Sequence, residues 1–317
     1  MEIKGDFLNK DILSLDQFDI PSIKKLFRLA DKMKRLAKNA MPSNILKGNL
    51  VTLLFYDPSS RTRGSFDAAV KQLGGNTIVV ENPQQFSSVS KGETLEDTIQ
   101  VFESYTDAIV IRHPDSGTAE KAAKSAKFVP IINAGDGVGE HPTQALLDMY
   151  TIHEHTGRLD NLIGVAGGDI KNGRTIHSLM RGLSIFKNNT IYLLSPTILK
   201  LSKEELAEYR KRGLTIHEIQ SMDEIPKTAN FWYWTRVQKE RFKNPVEYKK
   251  VNNMFVVTKD NFQKLAGKKT ILMHPLPRVG EITTDADNDN RAVYLKTQVR
   301  NGMYIRMALI ALVLGKS

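Results

Sequence analysis

Short, uninterrupted apolar runs alternate along this chain with longer stretches whose apolar positions recur at helical spacing. The runs lie at 50–56, 77–80, 108–111, 129–132, 162–166, 190–194, 214–217, 231–234 and 270–273. A run such as Leu50-Val51-Thr52-Leu53-Leu54-Phe55-Tyr56 is apolar at successive positions, so a strand built from it must be covered on both faces. Helices between the strands supply that cover, and the connections they make are parallel crossovers. The expected fold is α/β, with doubly wound parallel sheets. After an opening helix that carries 24–38, helical stretches fall at about 61–73, 94–105, 119–126, 143–155, 174–186, 204–212 and 297–314. Two series of strands, before and after the long helix past His141, predict two domains: 1–147 plus 297–317, and 148–296.

Composition narrows the functional classes. A chain of 317 residues with 41% hydrophobic and 25% charged residues is an ordinary soluble globular one with room for a large core. It has no cysteine, which removes disulfides, thiolate nucleophiles and Cys-based zinc sites and fits a reducing cytoplasm. Residues 1–10 are mixed charged and polar, unlike a signal peptide. The most apolar segment, 303–314, is interrupted by Arg306 and too short to span a bilayer, so no membrane role is expected. The net charge of +10 suggests anionic company, yet the basic residues are dispersed. Those of 24–38 share a helix with Ile23, Phe27, Ala30, Met33 and Ala37, a solvated face over a core. Without aromatic residues interleaved among basic ones, nucleic acid is not an expected partner.

Polar clusters follow the strands. Asp57-Pro58-Ser59-Ser60-Arg61-Thr62-Arg63 ends the first run and opens a helix, with Ser59 and Ser60 suited to capping it. Hydroxyls and a guanidinium around free N–H groups at a helix N-terminus form an anion site, and phosphate is its natural guest. The other reading of this heptad is an ordinary capped helix with two surface arginines. Arg112-His113-Pro114 follows the run 108–111, and a Gly-rich loop ending in His141-Pro142-Thr143-Gln144 follows 129–132; the other readings are an Arg112 paired with a surface acid and a core or capping His141. In the second series, Gly168 to Thr175 comes near P-loop spacing with Arg174 in the lysine position, which admits a nucleotide phosphotransferase. Arg236 and Gln238 follow 231–234, and His274-Pro275-Leu276-Pro277-Arg278 follows 270–273. His153-Glu154-His155 does not converge on a metal, because neighbours two apart on a helix point to different faces.

Ser59-Ser60-Arg61-Thr62-Arg63, His141-Pro142-Thr143-Gln144 and His274-Pro275-Leu276-Pro277-Arg278 together resemble the signature segments of the carbamoyltransferases, in particular the aspartate carbamoyltransferase branch. Lys91 to Thr98, Arg112 to Pro114, Lys171 to Leu179 and Thr235 to Arg241 match as well, in order over nearly the whole chain. The resemblance implies two domains joined by long helices, a carbamoyl-phosphate-binding one first and an aspartate-binding one second, with the active site in the cleft between them. It implies transfer of a carbamoyl group from carbamoyl phosphate to the amine of L-aspartate, an early step of pyrimidine biosynthesis, without metal or other cofactor. Ser59, Ser60, Arg61 and Thr62 would hold the phosphate; Thr62, Arg112 and His141 would contact the carbonyl oxygen. Gln144 and the carbonyls of Leu276 and Pro277 would hold nitrogens, while Arg174, Arg236 and Gln238 would bind aspartate. Ser87 and Lys91 would reach a neighbouring subunit's site in a homotrimer, Lys91 touching both substrates there. Asp57 stands where the family often has Glu, a departure that bears on a closure-linked salt bridge with Arg174 or Arg241, and Arg63 would be structural. Ornithine-specific relatives typically carry cysteine where Leu276 stands, which favours aspartate. A regulatory chain or a dihydroorotase remains open as a further partner, as does a purely structural or regulatory role for the chain.

Overall fold

The computed structural model describes residues 3, 5–39, 43–86, 88–137 and 139–316. The described strands form two sheets. One has the order β2-β1-β3-β4, from β1 (Leu50–Phe55), β2 (Asn76–Glu81), β3 (Ala108–His113) and β4 (Ile131–Asp136). The other has the order β7-β6-β5-β8-β9, from β5 (Ile163–Gly167), β6 (Thr190–Leu194), β7 (Thr215–Ile219), β8 (Phe231–Trp234) and β9 (Ile271–Met273). Every neighbouring pair is parallel. The doubly wound α/β class read from the sequence is therefore the observed one.

The helices are α1 (Ile20–Lys38), α2 (Ser60–Gln72), α3 (Pro83–Phe86), α4 (Leu95–Glu103), α5 (Thr118–Ser125), α6 (Pro142–Thr156), α7 (Arg174–Leu183), α8 (Lys203–Lys211), α9 (Pro245–Val251), α10 (Lys259–Leu265) and α11 (Val299–Val313). By its contacts the chain divides into two compact units, Met1–Leu147 with Arg300–Ser317, and Asp148–Val299. The first change of unit thus falls inside α6, the second at the start of α11.

Several boundaries differ from the sequence reading. The strand expected at 129–132 is β4, which starts two residues later and runs on through Asn133, Ala134, Gly135 and Asp136. Those residues read as loop, but they are paired on both sides. Ile111 and His113 of β3 lie opposite Asn133 and Asp136, and the Asn133 amide donates to Ile12 O at 2.8 Å. Likewise β3 continues through Arg112 and His113. The short helices α9 and α10 were not anticipated; each begins at a capping side chain, Asn244 and Thr258.

In the second unit the core is aromatic. Trp232 and Trp234 stack at 5.5 Å, and Phe262 meets Trp232 edge-on at 5.1 Å. β8 carries four large aromatics in a row, so its neighbour β5 must be thin. Gly164 lies opposite Phe231 and Gly167 opposite Trp234; a Cβ at either would come within 2.2 Å and 2.6 Å of the ring. In the first unit, α11 supplies much of the core: from Tyr304 to Val313 every residue is buried, Arg306 included.

Candidate active site

Each sheet has one point where the winding reverses. β1 is flanked by β2 and β3, and β5 by β6 and β8, so the switch points lie between β1 and β3 and between β5 and β8. Loops leaving such a point diverge and open a crevice past the carboxyl ends of the strands.

At the first switch point Phe55 lies opposite Arg112. Asp57, just past β1, accepts two guanidinium N–H groups of Arg112, from Nε at 2.9 Å and Nη2 at 2.7 Å. Arg112 Nη1 donates to Ala134 O on β4 at 3.3 Å. A carboxylate and a carbonyl thus fix the plane of a guanidinium that is only 11% exposed. Asp57 and Arg112 thus pair within the first unit. Ser59 stands at the N-cap of α2, but its hydroxyl makes no capping bond, contrary to the capping role expected of it. Ser60 and Arg61 are exposed on the first turn, and Thr62 is turned inward. Arg63 pairs with Glu81 at 3.2 Å.

His141 is buried at the N-cap of α6; its carbonyl accepts the amides of Gln144 and Ala145 at 3.0 and 3.1 Å. The loop before it is braced from the amino-terminal segment. Ser14 Oγ and the Leu15 amide donate to the Glu140 carboxylate at 2.6 and 2.9 Å, and the Glu140 amide donates to Asp136 at 2.9 Å. Lys91 ends an exposed 3₁₀ turn, Ser88–Lys91, and Ser87 lies outside the described residues.

Sequence reasoning gave Arg306 no role beyond breaking an apolar stretch. It reaches from α11 to Ser65 of α2 at 3.0 Å and to Thr143 of α6 at 3.4 Å, and its guanidinium lies 5.0 Å from the Phe66 ring centre. A buried charge must be paired, so a lone arginine in an apolar helix was the available signal.

At the second switch point Gly168 follows β5 with φ +105°, and a Cβ there would sit 2.0 Å from Thr235 O. The next residue, Asp169, is fully buried. Its carboxylate accepts the Asn172 amide and side chain, both at 3.0 Å, and the Gln238 amide at 3.2 Å. Burial pushes the Asp169 carboxyl above the usual aspartate value, against the pull of the backbone bonds from Asn172 and Gln238. Gln238 Nε2 returns to Asn172 O at 2.7 Å. The turn that resembled a P-loop thus has its own carboxylate on an amide that a phosphate would need. Arg174 opens α7 half-buried. Arg236 makes a two-pronged pair with Glu240, Nη1 to Oε2 at 3.0 Å and Nη2 to Oε1. That hydrogen bonding holds the Arg236 guanidinium above its ordinary pKa and the Glu240 carboxyl below its own.

Past β9, His274 Nδ1 accepts the Leu276 amide at 2.7 Å, and Nε2 lies 2.6 Å from Glu281 Oε1. The tautomer follows: Nε2–H donates to the carboxylate. Burial pushes the His274 imidazole down against the pull of Glu281. Burial would raise Glu281, yet the His274 bond leaves it below the usual value. The His274 amide donates to Gln298, Gln298 donates to Asp148 at 2.7 Å, and Tyr233 OH donates to Asp148 at 2.8 Å. This network holds Leu276, at φ +60°, and the Leu276–Pro277 segment. Arg278 turns away to Asp287 and Tyr294. Trp234, the last residue before the Thr235–Gln238 loop, is core and donates to Phe255 O at 2.9 Å. Among the described residues no group of three His, Asp or Glu side chains could hold a metal, His153-Glu154-His155 included.

Residues 10–154 match the carbamoyl-P binding domain of the aspartate/ornithine carbamoyltransferases, and residues 162–313 match their Asp/Orn binding domain. The chain is 46% identical over 306 residues to the chloroplastic aspartate carbamoyltransferase of Arabidopsis thaliana, covering 96% of this chain and 77% of that one. It is also 46% identical to the multifunctional protein pyr1-3 of Dictyostelium discoideum, of which it spans 14%. Among solved structures it resembles Trypanosoma cruzi aspartate transcarbamoylase in complex with carbamoyl phosphate and aspartate. There the TM-score is 0.88 and the identity 38%, over 97% of this chain and 98% of that one.

Proposed function

The chain belongs to the aspartate/ornithine carbamoyltransferase family, and from that membership we propose that it transfers the carbamoyl group of carbamoyl phosphate to L-aspartate. The products are N-carbamoyl-L-aspartate and phosphate, and the pathway is pyrimidine biosynthesis. The observation that carries this reading is the acceptor half-site: Arg236 already engages a carboxylate with both terminal nitrogens, two residues before Gln238, whose side chain donates to Asn172 O in the turn that leads to Arg174. A guanidinium has five N–H donors, so Glu240 can orient Arg236 while other donors meet a substrate carboxylate. Ornithine brings only one carboxylate and would leave these arginines poorly used.

Ser59, Ser60, Arg61 and Thr62 hold the phosphate at the start of α2, where helix amides point at an anion. Arg112, His141 and Thr62 stabilise charge on the carbonyl oxygen as the amine attacks. The planar hold that Asp57 and Ala134 keep on Arg112 supports such an aimed donor. Gln144 and the carbonyls of Leu276 and Pro277 accept from the reacting nitrogens, and His274 with Glu281 keeps those carbonyls in place. Phosphate leaves readily and takes the amine proton, so positioning and charge stabilisation are the protein's whole task.

Assembly as a homotrimer, with Ser87 and Lys91 completing a neighbour's site, is supported by the family likeness, and a cytoplasmic place of action by the cysteine-free composition. No helix among the described residues is long and apolar enough to cross a membrane. The match to part of a multifunctional protein supports further enzymes, a dihydroorotase among them, as partners, while a regulatory chain rests on the family likeness alone. The central test supplies carbamoyl phosphate with aspartate, ornithine or no acceptor and measures phosphate and ureido product. Ureido product with aspartate alone is expected; turnover with ornithine alone would overturn the assignment. For the trimer, mixing inactive Lys91→Ala and Arg112→Ala proteins should restore part of the activity through hybrid sites.

A further inference from the structure

The acceptor half-site rests on the turn 168–173, which has no helix or sheet ladder of its own to hold it. Its Gly168 and Lys171 amides donate to Leu194 O and Leu199 O, and its side-chain bonds run through Asp169, Asn172 and Gln238. The carbonyl of Ile170 is a separate matter. Ile170 is fully buried, and its carbonyl lies 2.9 Å from His177 Nε2, on the first turns of α7. A carbonyl can only accept, so Nε2 carries the proton, and the neutral ring must accept at Nδ1. Tyr209 OH from α8 lies 3.2 Å from that Nδ1. Tyr209 is buried, with its ring 6.2 Å from the imidazole and tilted 59° to it. The same hydroxyl has a second acceptor in its reach, His177 O at 3.4 Å. Tyr209 and His177 thus donate in line toward the Ile170 carbonyl, from a helix outside the half-site into the turn that shapes it.

We propose that His177, its tautomer set by the Ile170 carbonyl and its Nδ1 met by the Tyr209 hydroxyl, is a positioning residue for the acceptor half-site. It holds the turn so that Asp169 and Asn172 grip Gln238 and Arg174 leaves the turn at a set angle. His177 touches no substrate in this scheme. Its leverage is the shortness of the turn: Ile170 sits between Asp169, which binds the Gln238 amide, and Asn172, whose carbonyl binds the Gln238 side chain. Rotation about Ile170 moves both grips at once. The arrangement rests on the proposed reaction only for what the half-site binds, not for the order of the turn itself.

The test compares His177→Ala, His177→Gln and Tyr209→Phe in the full-length chain. Glutamine keeps an N–H at the reach of Nε2; alanine does not. Loss of one such bond should raise the KM for aspartate about tenfold in His177→Ala. The KM for carbamoyl phosphate should stay within about twofold, His177→Gln should lie near the parent, and Tyr209→Phe should fall between. In parallel, hydrogen exchange of the Asn172 and Gln238 amides should quicken about tenfold in His177→Ala and not in His177→Gln. Unchanged aspartate KM and unchanged exchange in His177→Ala would overturn the proposal. So would equal rises in both KM values, or fast exchange throughout the second unit with a large fall in Tm, since these mark a general role in folding. If the parent chain fails to use aspartate, the proposed function falls, and the exchange readout alone still decides the positioning role.

Discussion

In the first unit part of the switch point stands near solvent, beside the buried Thr62 and His141. Arg112 is fixed by Asp57 and one carbonyl, Arg63 by Glu81, and Ser60, Arg61 and Lys91 are exposed. In the second unit the corresponding groups are backed by buried polar side chains: Asp169 behind Gln238, and Glu281, Gln298 and Asp148 behind the His274 segment. The difference follows from what each half-site offers. A helix N-terminus brings its own regular array of amides, so an anion site there needs little scaffolding. Carbonyls and a guanidinium set at fixed angles on irregular loops have no such array, and side-chain networks must supply the rigidity. At the first switch point a helix N-terminus stands beside side-chain braces on Arg112 and Glu140, while at the second the braces are the buried Asp169, Glu281 and Asp148.

The contrast can be broken most sharply at Arg112. Arg112→Ala should lower kcat by roughly 10²–10³, as loss of an oxyanion donor does, measured with both substrates saturating. A fall below about tenfold would move the carbonyl contact to other residues. On the acceptor side, Arg236→Ala should raise the aspartate KM by about 10- to 100-fold, matching roughly 1.5–3 kcal/mol for a charged hydrogen bond. Its carbamoyl phosphate KM should hold. Equal rises in both would dissolve the division of labour between the units.

Acid should expose the second unit's reliance on its network. His274 lies below its ordinary value of 6.5 because burial disfavours the cation, so the fold keeps it neutral while the unfolded chain protonates. That stability is present above 6.5 and is lost as pH falls below it; Glu281 adds loss of the same sign below 4.5. Asp169, raised by burial, works in the opposite direction. The denaturant midpoint should therefore fall between pH 7 and 5, and His274→Asn should flatten that slope. A slope identical in the variant would remove His274 from the acid response. The smallest effect belongs to the half-exposed Arg63–Glu81 pair. Arg63→Ala should cost about 0–1 kcal/mol in a denaturant titration and leave kcat within about twofold.

Much of this molecule is legible in its residues. Alternating apolar runs and helical stretches specify α/β with parallel strands, because a strand apolar on both sides can be buried only between helices. The polar clusters at 59–62, 112, 141–144, 174, 236–238 and 274–277 follow strands, and ligands of open sheets bind there. Other features left a local trace that a close reading could find. Asn244 and Thr258 are helix caps, and Arg306 is a charge alone in an apolar helix.

Local sequence did not contain the order of strands, hence the switch points, nor the partners that order creates. Asp57 and Arg112 are 55 residues apart and meet because β1 and β3 are neighbours. Asn133 to Asp136 carries no strand signal and is a strand because Ile12 pairs on one side and β3 on the other. His274 and Gln298 are joined only through the fold. Periodicity and strand-end chemistry depend on residues near in sequence, and the sequence alone determined those. Which charges are paired, and which loops are braced, depends on residues brought together by burial, and only the tertiary structure decided that.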